Sequence, residues 1–189
     1  LPFYQQFTSR KSYAIIIENN AWRSPMKTKE EWIKELDLEP HVEGGYFRQT
    51  YKAVEKVKLP DGRIRSLSTT ILFLLTNQNP SHFHLLSSDE IWYYHYGHAL
   101  TVHMIHPDGT YEAVEIGAGN GQKLQFTVPA GVVFGSTIES ANEEEFAIVS
   151  CSVTPGFEYE DFKLYTQEEL LEKYPEHEGI ICRLAVTSK

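Results

Sequence analysis

The chain has 189 residues, 41% hydrophobic and 23% charged, which fits one globular domain with a sizeable core. Its 17 Lys and Arg against 26 Asp and Glu leave a net charge of -9, arguing against nucleic acid and against anionic membrane surfaces as partners. Two cysteines outside any Cys-x-x-Cys pair argue against a disulfide framework or a thiolate zinc site and point to a reducing cytoplasm, and no apolar run approaches the roughly 20 residues of a membrane span.

The segment Tyr13 to Ile17 is too short and poorly flanked for a secretory signal. The first Met is Met26, directly before a helix-start signal, so residues 1–25 read as an extension, either vector-derived or a peripheral strand over 12–17. Residues 26–189 read as a single domain.

Thr28-Lys29-Glu30-Glu31 has the form of a capping box, and Trp32, Ile33 and Leu36 follow at helical spacing, which predicts a helix over 28–38 that Pro40 ends. Strands are predicted over 46–52, 65–76, 81–86, 90–96, 99–106, 111–116, 122–128, 131–138 and 146–154, all short and rich in Tyr, Val, Ile, Phe and Thr. Pro107-Asp108-Gly109 is a hairpin turn, because Asp-Gly tolerates positive φ. A second capping box, Thr166-Gln167-Glu168-Glu169, opens a helix that stops at Pro175, and a last helical turn is predicted over 179–184. Nine strands with helices only at the ends indicate an all-β sandwich, barrel or jelly roll.

Six of the eight histidines (His82, His84, His95, His98, His103 and His106) fall within 25 residues. On a regular strand His82 and His84 share a face, and the next strand brings Glu90 alongside with Trp92 and Tyr94 on its face. Two imidazoles and a carboxylate on one side are the ligand set of a non-haem iron, manganese or zinc centre, or an acid–base site. His98, His103 and His106 lack such spacing and read as surface or interface residues. Glu43 and Arg48 flank Gly44-Gly45, where glycines suggest a positive-φ bend or close backbone approach. Arg48 suits a carboxylate or phosphate, with Glu43 as a second polar contact or its ion-pair partner, and Tyr46 reads as pocket wall or core. Asp161, set between aromatics, suits tying down the loop after the last strand.

The segment from His82 to Gly97 resembles the first signature of the cupin superfamily: His-x-His, a few residues, Glu, then six residues and Gly. Five residues separate His84 from Glu90, one more than usual. Asp89 would fit the shorter spacing but spoil the second, which favours Glu90. In the second signature, Pro-x-Gly and two residues precede a fourth histidine ligand. Here Pro129-Ala130-Gly131-Val132-Val133 leads to Phe134. With Glu43-Gly44-Gly45-Tyr46-Phe47-Arg48 and Pro155-Gly156-Phe157-Glu158-Tyr159-Glu160-Asp161-Phe162, these blocks resemble one mostly uncharacterised cupin subgroup, similar in fold to sugar-nucleotide epimerases.

The resemblance implies a double-stranded β-helix, a homodimer, and a site of His82, His84 and Glu90 acting as catalytic residues or as ligands of a divalent metal ion. Glu43, Tyr46, Arg48, Trp92, Tyr94 and Phe134 would then contact a small-molecule substrate. Three functions stay open: a metal-free isomerase or epimerase of a sugar-like metabolite, a metal-dependent oxygenase or isomerase, and a non-catalytic binding or sensor protein.

Overall fold

A computed structural model describes residues 27–188, so both readings of residues 1–25 lie outside the described residues. Helix α1 (Lys29–Glu35) starts at Thr28, whose capping box forms in both directions. Thirteen strands follow: β1 (Glu39–Pro40), β2 (Tyr46–Lys52), β3 (Lys56–Lys58), β4 (Ile64–Ser66), β5 (Thr69–Thr76), β6 (Ser81–Leu86), β7 (Asp89–Gly97), β8 (Leu100–Ile105), β9 (Tyr111–Ile116), β10 (Gln125–Val128), β11 (Val133–Thr137), β12 (Phe146–Thr154) and β13 (Phe162–Leu164). Helices α2 (Gln167–Lys173) and α3 (Glu178–Leu184) close the order, α2 again behind a complete capping box at Thr166.

Every strand pairing is antiparallel. One sheet runs β1-β2-β5-β12-β7-β10, the other β13-β6-β11-β8-β9, and β3 and β4 form a separate hairpin. This is the jelly-roll barrel with short terminal helices that the sequence predicts. The long strand predicted over 65–76 is two, β4 and β5. The strands β1, β3 and β13 are too short for the period-2 pattern to register.

Strand alternation divides the apolar side chains into three cores. Along β5 and β12, Phe73, Leu75, Ala147, Val149 and Cys151 face the other sheet and pack with Trp92, Val102, Met104 and Phe134. Leu74, Phe146 and Ile148 face outward, where Trp32 and Ile33 of α1, Leu36 just after it, and Tyr46 cover them. Phe83, Ile105 and Val133, on the outer face of the five-stranded sheet, pack under Leu170, Tyr174, Ile181 and Leu184. A fully buried ring or branched side chain contributes about 1.5–3 kcal/mol, so the inner layer dominates stability. Among the described residues no helix is long and apolar enough to cross a membrane.

Candidate functional site

Two local distortions decide which side chains enter the barrel. The first is a β-bulge in β6. Phe134 pairs with His84 and Ser136 with Ser81, so β6 advances three residues while β11 advances two. An extra residue breaks the alternation, so equal spacing no longer means an equal face. Gly135 backs the bulge closely: a Cβ there would lie 2.7 Å from the Ser81 carbonyl oxygen and 3.1 Å from the Phe83 nitrogen.

The second is the Gly44-Gly45 bend. Both glycines have positive φ, 109° and 67°, and a side chain at Gly44 would collide with the Pro80 carbonyl. Close approach lets His82 N–H donate to the Glu43 carbonyl at 2.7 Å, and it sets the Glu43 carboxylate beside Ser81, whose Oγ donates to Oε1 at 2.8 Å. A bend so tight delivers a carboxylate into the barrel from a loop.

The result is a cavity of about 350 Å3, within the usual range for a small-molecule site. Glu43, Thr69, His84, Glu90 and Cys151 are its buried polar part, Phe47, Ile71, Leu86, Val153 and Phe157 its apolar walls, and His41, Glu39, Gln49, Lys52, Glu158 and Tyr159 complete the lining. His84 Nδ1 lies 2.8 Å from the His82 carbonyl. A carbonyl only accepts, so Nδ1 carries the proton and the neutral ring presents its Nε2 lone pair, 3.5 Å from Glu43 Oε2. His41 Nδ1 stands 3.4 Å from that same oxygen. Trp92 Nε1 donates to Glu90 Oε2 at 2.9 Å. No protein group among the described residues bonds the other Glu90 oxygen.

Burial pushes the Glu43 carboxyl up to about 7, against the pull of His41 and Ser81. Burial, reinforced by the charge of Glu43, pushes Glu90 up to about 7 as well. His84 is held below its ordinary value by burial, partly offset by Glu90, and His41 is lowered by burial in the same way. The Cys151 thiol, buried near both carboxylates, is pushed well up and stays neutral.

His84, Glu90 and Glu43 thus share one cavity, and His82 does not line it. The expected common face of His82 and His84 is lost to the bulge. His82 is half-buried, with Nδ1 2.7 Å from the Glu43 carbonyl. Tyr46 and Arg48 have the outward parity of β2. Tyr46 packs under α1 and Arg48 is exposed, while Phe47 and Gln49 point in. Trp92 is fully buried core and touches the site only through Glu90. Tyr94 lies outside the cavity, its hydroxyl donating to the Gly97 carbonyl at 2.6 Å. Phe134 is buried with its ring centroid 4.1 Å from that of His84, filling the space beside the imidazole.

His103, read from sequence as surface or interface, is buried on the other sheet and bridges Tyr111 Oη at 2.7 Å and Thr137 Oγ1 at 2.8 Å. Asp161 does tie down its loop, gripping Arg65 and Arg63.

The predicted metal centre does not fit these residues. Among the described residues no group of three or more His, Cys, Asp or Glu is arranged to hold a metal ion. His82 does not line the cavity that holds His84 and Glu90, and Phe134 packs on His84 where a further imidazole was sought. Sequence reasoning missed His41, Phe47, Lys52 and Cys151. Inward parity on β2 and β12 would have found Phe47 and Cys151, whereas His41 sits in a loop with no pattern to read.

A family model described as Cupin superfamily (DUF985) matches residues 30–165. The chain is 32% identical over 162 residues to an uncharacterized protein of Saccharomyces cerevisiae, covering 78% of this chain and 80% of that one. Among solved structures, a hypothetical protein from Leishmania major is 42% identical with a TM-score of 0.80, covering 85% of this chain and 99% of that one. A Shewanella oneidensis protein is 39% identical with a TM-score of 0.79, covering 86% and 100%. A variant of Bacillus subtilis oxalate decarboxylase, 18% identical with a TM-score of 0.51 over 82% of this chain and 39% of its own, shares the fold alone.

Proposed function

The chain belongs to the cupin superfamily, and on that premise we propose that its barrel cavity binds a small polar metabolite and moves a proton on it, as an isomerase or epimerase of a sugar-like substrate does. One observation carries this reading: two buried carboxylates, Glu43 and Glu90, line the same cavity as the Nε2 lone pair of His84.

Two interacting carboxyls that both titrate near neutrality pass through a state with one proton between them. The ionised partner takes a proton from the carbon next to a substrate carbonyl, leaving an enolate. The protonated partner, or His84 after receiving that proton, returns one to the other face or to the neighbouring atom. Ser81 and Trp92 each fix one oxygen of a carboxylate, leaving the other oriented toward the reacting atoms. The apolar walls keep the dielectric low, which sustains the raised affinity for protons.

Proton NMR in D2O tests this directly. Wild-type protein is incubated with pooled ketoses, aldoses and their amino-sugar counterparts, and loss of the signal from the proton next to the carbonyl is followed. The expected result is washout of at least one metabolite, slowed about 100-fold or more in Glu90→Gln and Glu43→Gln. Binding without any exchange would make the protein a receptor and end the catalytic reading.

A further inference from the structure

We infer that the ligand of this cavity is a small organic cation, bearing a protonated amine or quaternary ammonium, and that anionic metabolites are excluded. The inference rests on the proposed site and names its ligand class.

The lining holds four carboxylates, Glu39, Glu43, Glu90 and Glu158, against one lysine. Among the described residues no arginine lines it. Arg48, the sequence-predicted anion grip, is exposed and lies outside the cavity lining. The single lysine, Lys52, is spent at the mouth, its Nζ 2.6 Å from Glu158 Oε1. A phosphate or carboxylate entering here therefore meets, among the described residues, no arginine and no unpaired lysine and faces the open oxygen of Glu90, which costs desolvation without return.

A cation meets the opposite conditions. One oxygen of Glu90, a residue 8% exposed, is unpartnered among the described residues and belongs to the cavity wall. Three rings are set around the same space: Phe47, Phe157 and Tyr159 all line it. The centroids of Phe157 and Tyr159 are 5.2 Å apart at 78°, so one ring presents its face where the other presents its edge. Tyr159 is 57% exposed, so its ring stays open to solvent at the mouth of the cavity. Aromatic faces combined with carboxylates are the recognition chemistry of ammonium groups, and the contact strengthens as water is expelled.

Three probes built on a compact trimethyl head separate the possibilities: tetramethylammonium, neutral tert-butanol and anionic pivalate, titrated into the wild-type protein by calorimetry and ligand-observed NMR at matched ionic strength. Tetramethylammonium should bind at least ten-fold tighter than tert-butanol, with no binding of pivalate. Glu158→Gln, a change at an exposed rim position, should free Lys52, weaken tetramethylammonium several-fold and admit pivalate. Tyr159→Ala should weaken tetramethylammonium without admitting pivalate. Equal affinity for the cation and tert-butanol, tighter binding of pivalate, or no binding of the cation at 50 mM (about the weakest affinity of interest,) overturns the inference. A neutral metabolite that binds and exchanges deuterium would leave the proton-transfer reading standing while removing this one. Cation binding with no exchange would do the reverse.

Discussion

Replacing Glu90 by Gln keeps the side-chain shape and an acceptor for Trp92 Nε1 while removing the ionisation. In the folded protein Glu90 takes its proton at about 7, against an ordinary value of 4.5. The native state therefore binds more protons than the unfolded chain between those limits. Stability from this group is full below 4.5, falls as pH rises through the window, and is constant above 7. A displacement of that size corresponds to roughly 3 kcal/mol at pH 8, of which less than ~1 kcal/mol is already felt at pH 5. Glu90→Gln should thus be more stable than wild type by about 2–3 kcal/mol more at pH 8 than at pH 5, a difference of roughly 6 °C in Tm for a chain this size. Urea unfolding of both proteins at the two pH values measures it. An advantage that fails to grow between pH 5 and pH 8, or shrinks, would refute the claim that Glu90 is buried at the cost of its charge.

Three further outcomes follow from particular contacts. Asp161→Ala should cost about 3–5 kcal/mol in urea unfolding, because it strips the partner from Arg65, whose side chain is 6% exposed and whose Nε sits 2.5 Å from Asp161 Oδ2. Gly135→Ala should cost about 1–3 kcal/mol, since the added Cβ meets backbone of the β6 bulge rather than a side chain that can move; an unchanged melting temperature would show that the bulge yields. His103 is held by burial at about 4, below its ordinary 6.5, so its contribution is present above 6.5 and lost as pH falls toward 4. That slope opposes the one from Glu90, and His103→Gln should flatten the loss of stability between pH 6.5 and pH 4 in the same unfolding series.

The elements most legible in the sequence were those whose signal is local. Both capping boxes formed because Thr and Glu three residues apart satisfy each other's backbone regardless of what lies around them. The strand bounds of β2, β6, β9 and β12 match the alternating apolar runs. The site was legible in composition and misplaced in orientation, because facing depends on pairing with another strand. Tyr46 and Arg48 differ from Phe47 and Gln49 only in parity, and parity on β2 is fixed by its partner β5, which puts Phe47 opposite Phe73. Nothing within residues 46–52 announces that choice. His103 was read as surface for the same reason: a lone imidazole carries no mark of the Tyr111 and Thr137 side chains that neighbouring strands bring to it.

The β6 bulge links fold to chemistry most directly. Regular pairing between Ser81 and His84 would alternate faces without interruption, and a His-x-His pair would then look into the barrel with Glu90, a borderline-to-hard donor set suited to metals. The extra residue instead leaves the His82 ring bonded to backbone and turns Ser81 toward Glu43, so a carboxylate from the Gly44-Gly45 bend stands where the second imidazole was expected. A second buried carboxyl in place of an imidazole changes the charge and the donor set of the cavity. Two carboxyls buried in one cavity cannot both ionise cheaply, so both take up protons near neutral pH, and the His84 Nε2 lies 3.5 Å from one of them. One inserted residue, accommodated by one glycine on the facing strand, decides which of these side chains enters the cavity.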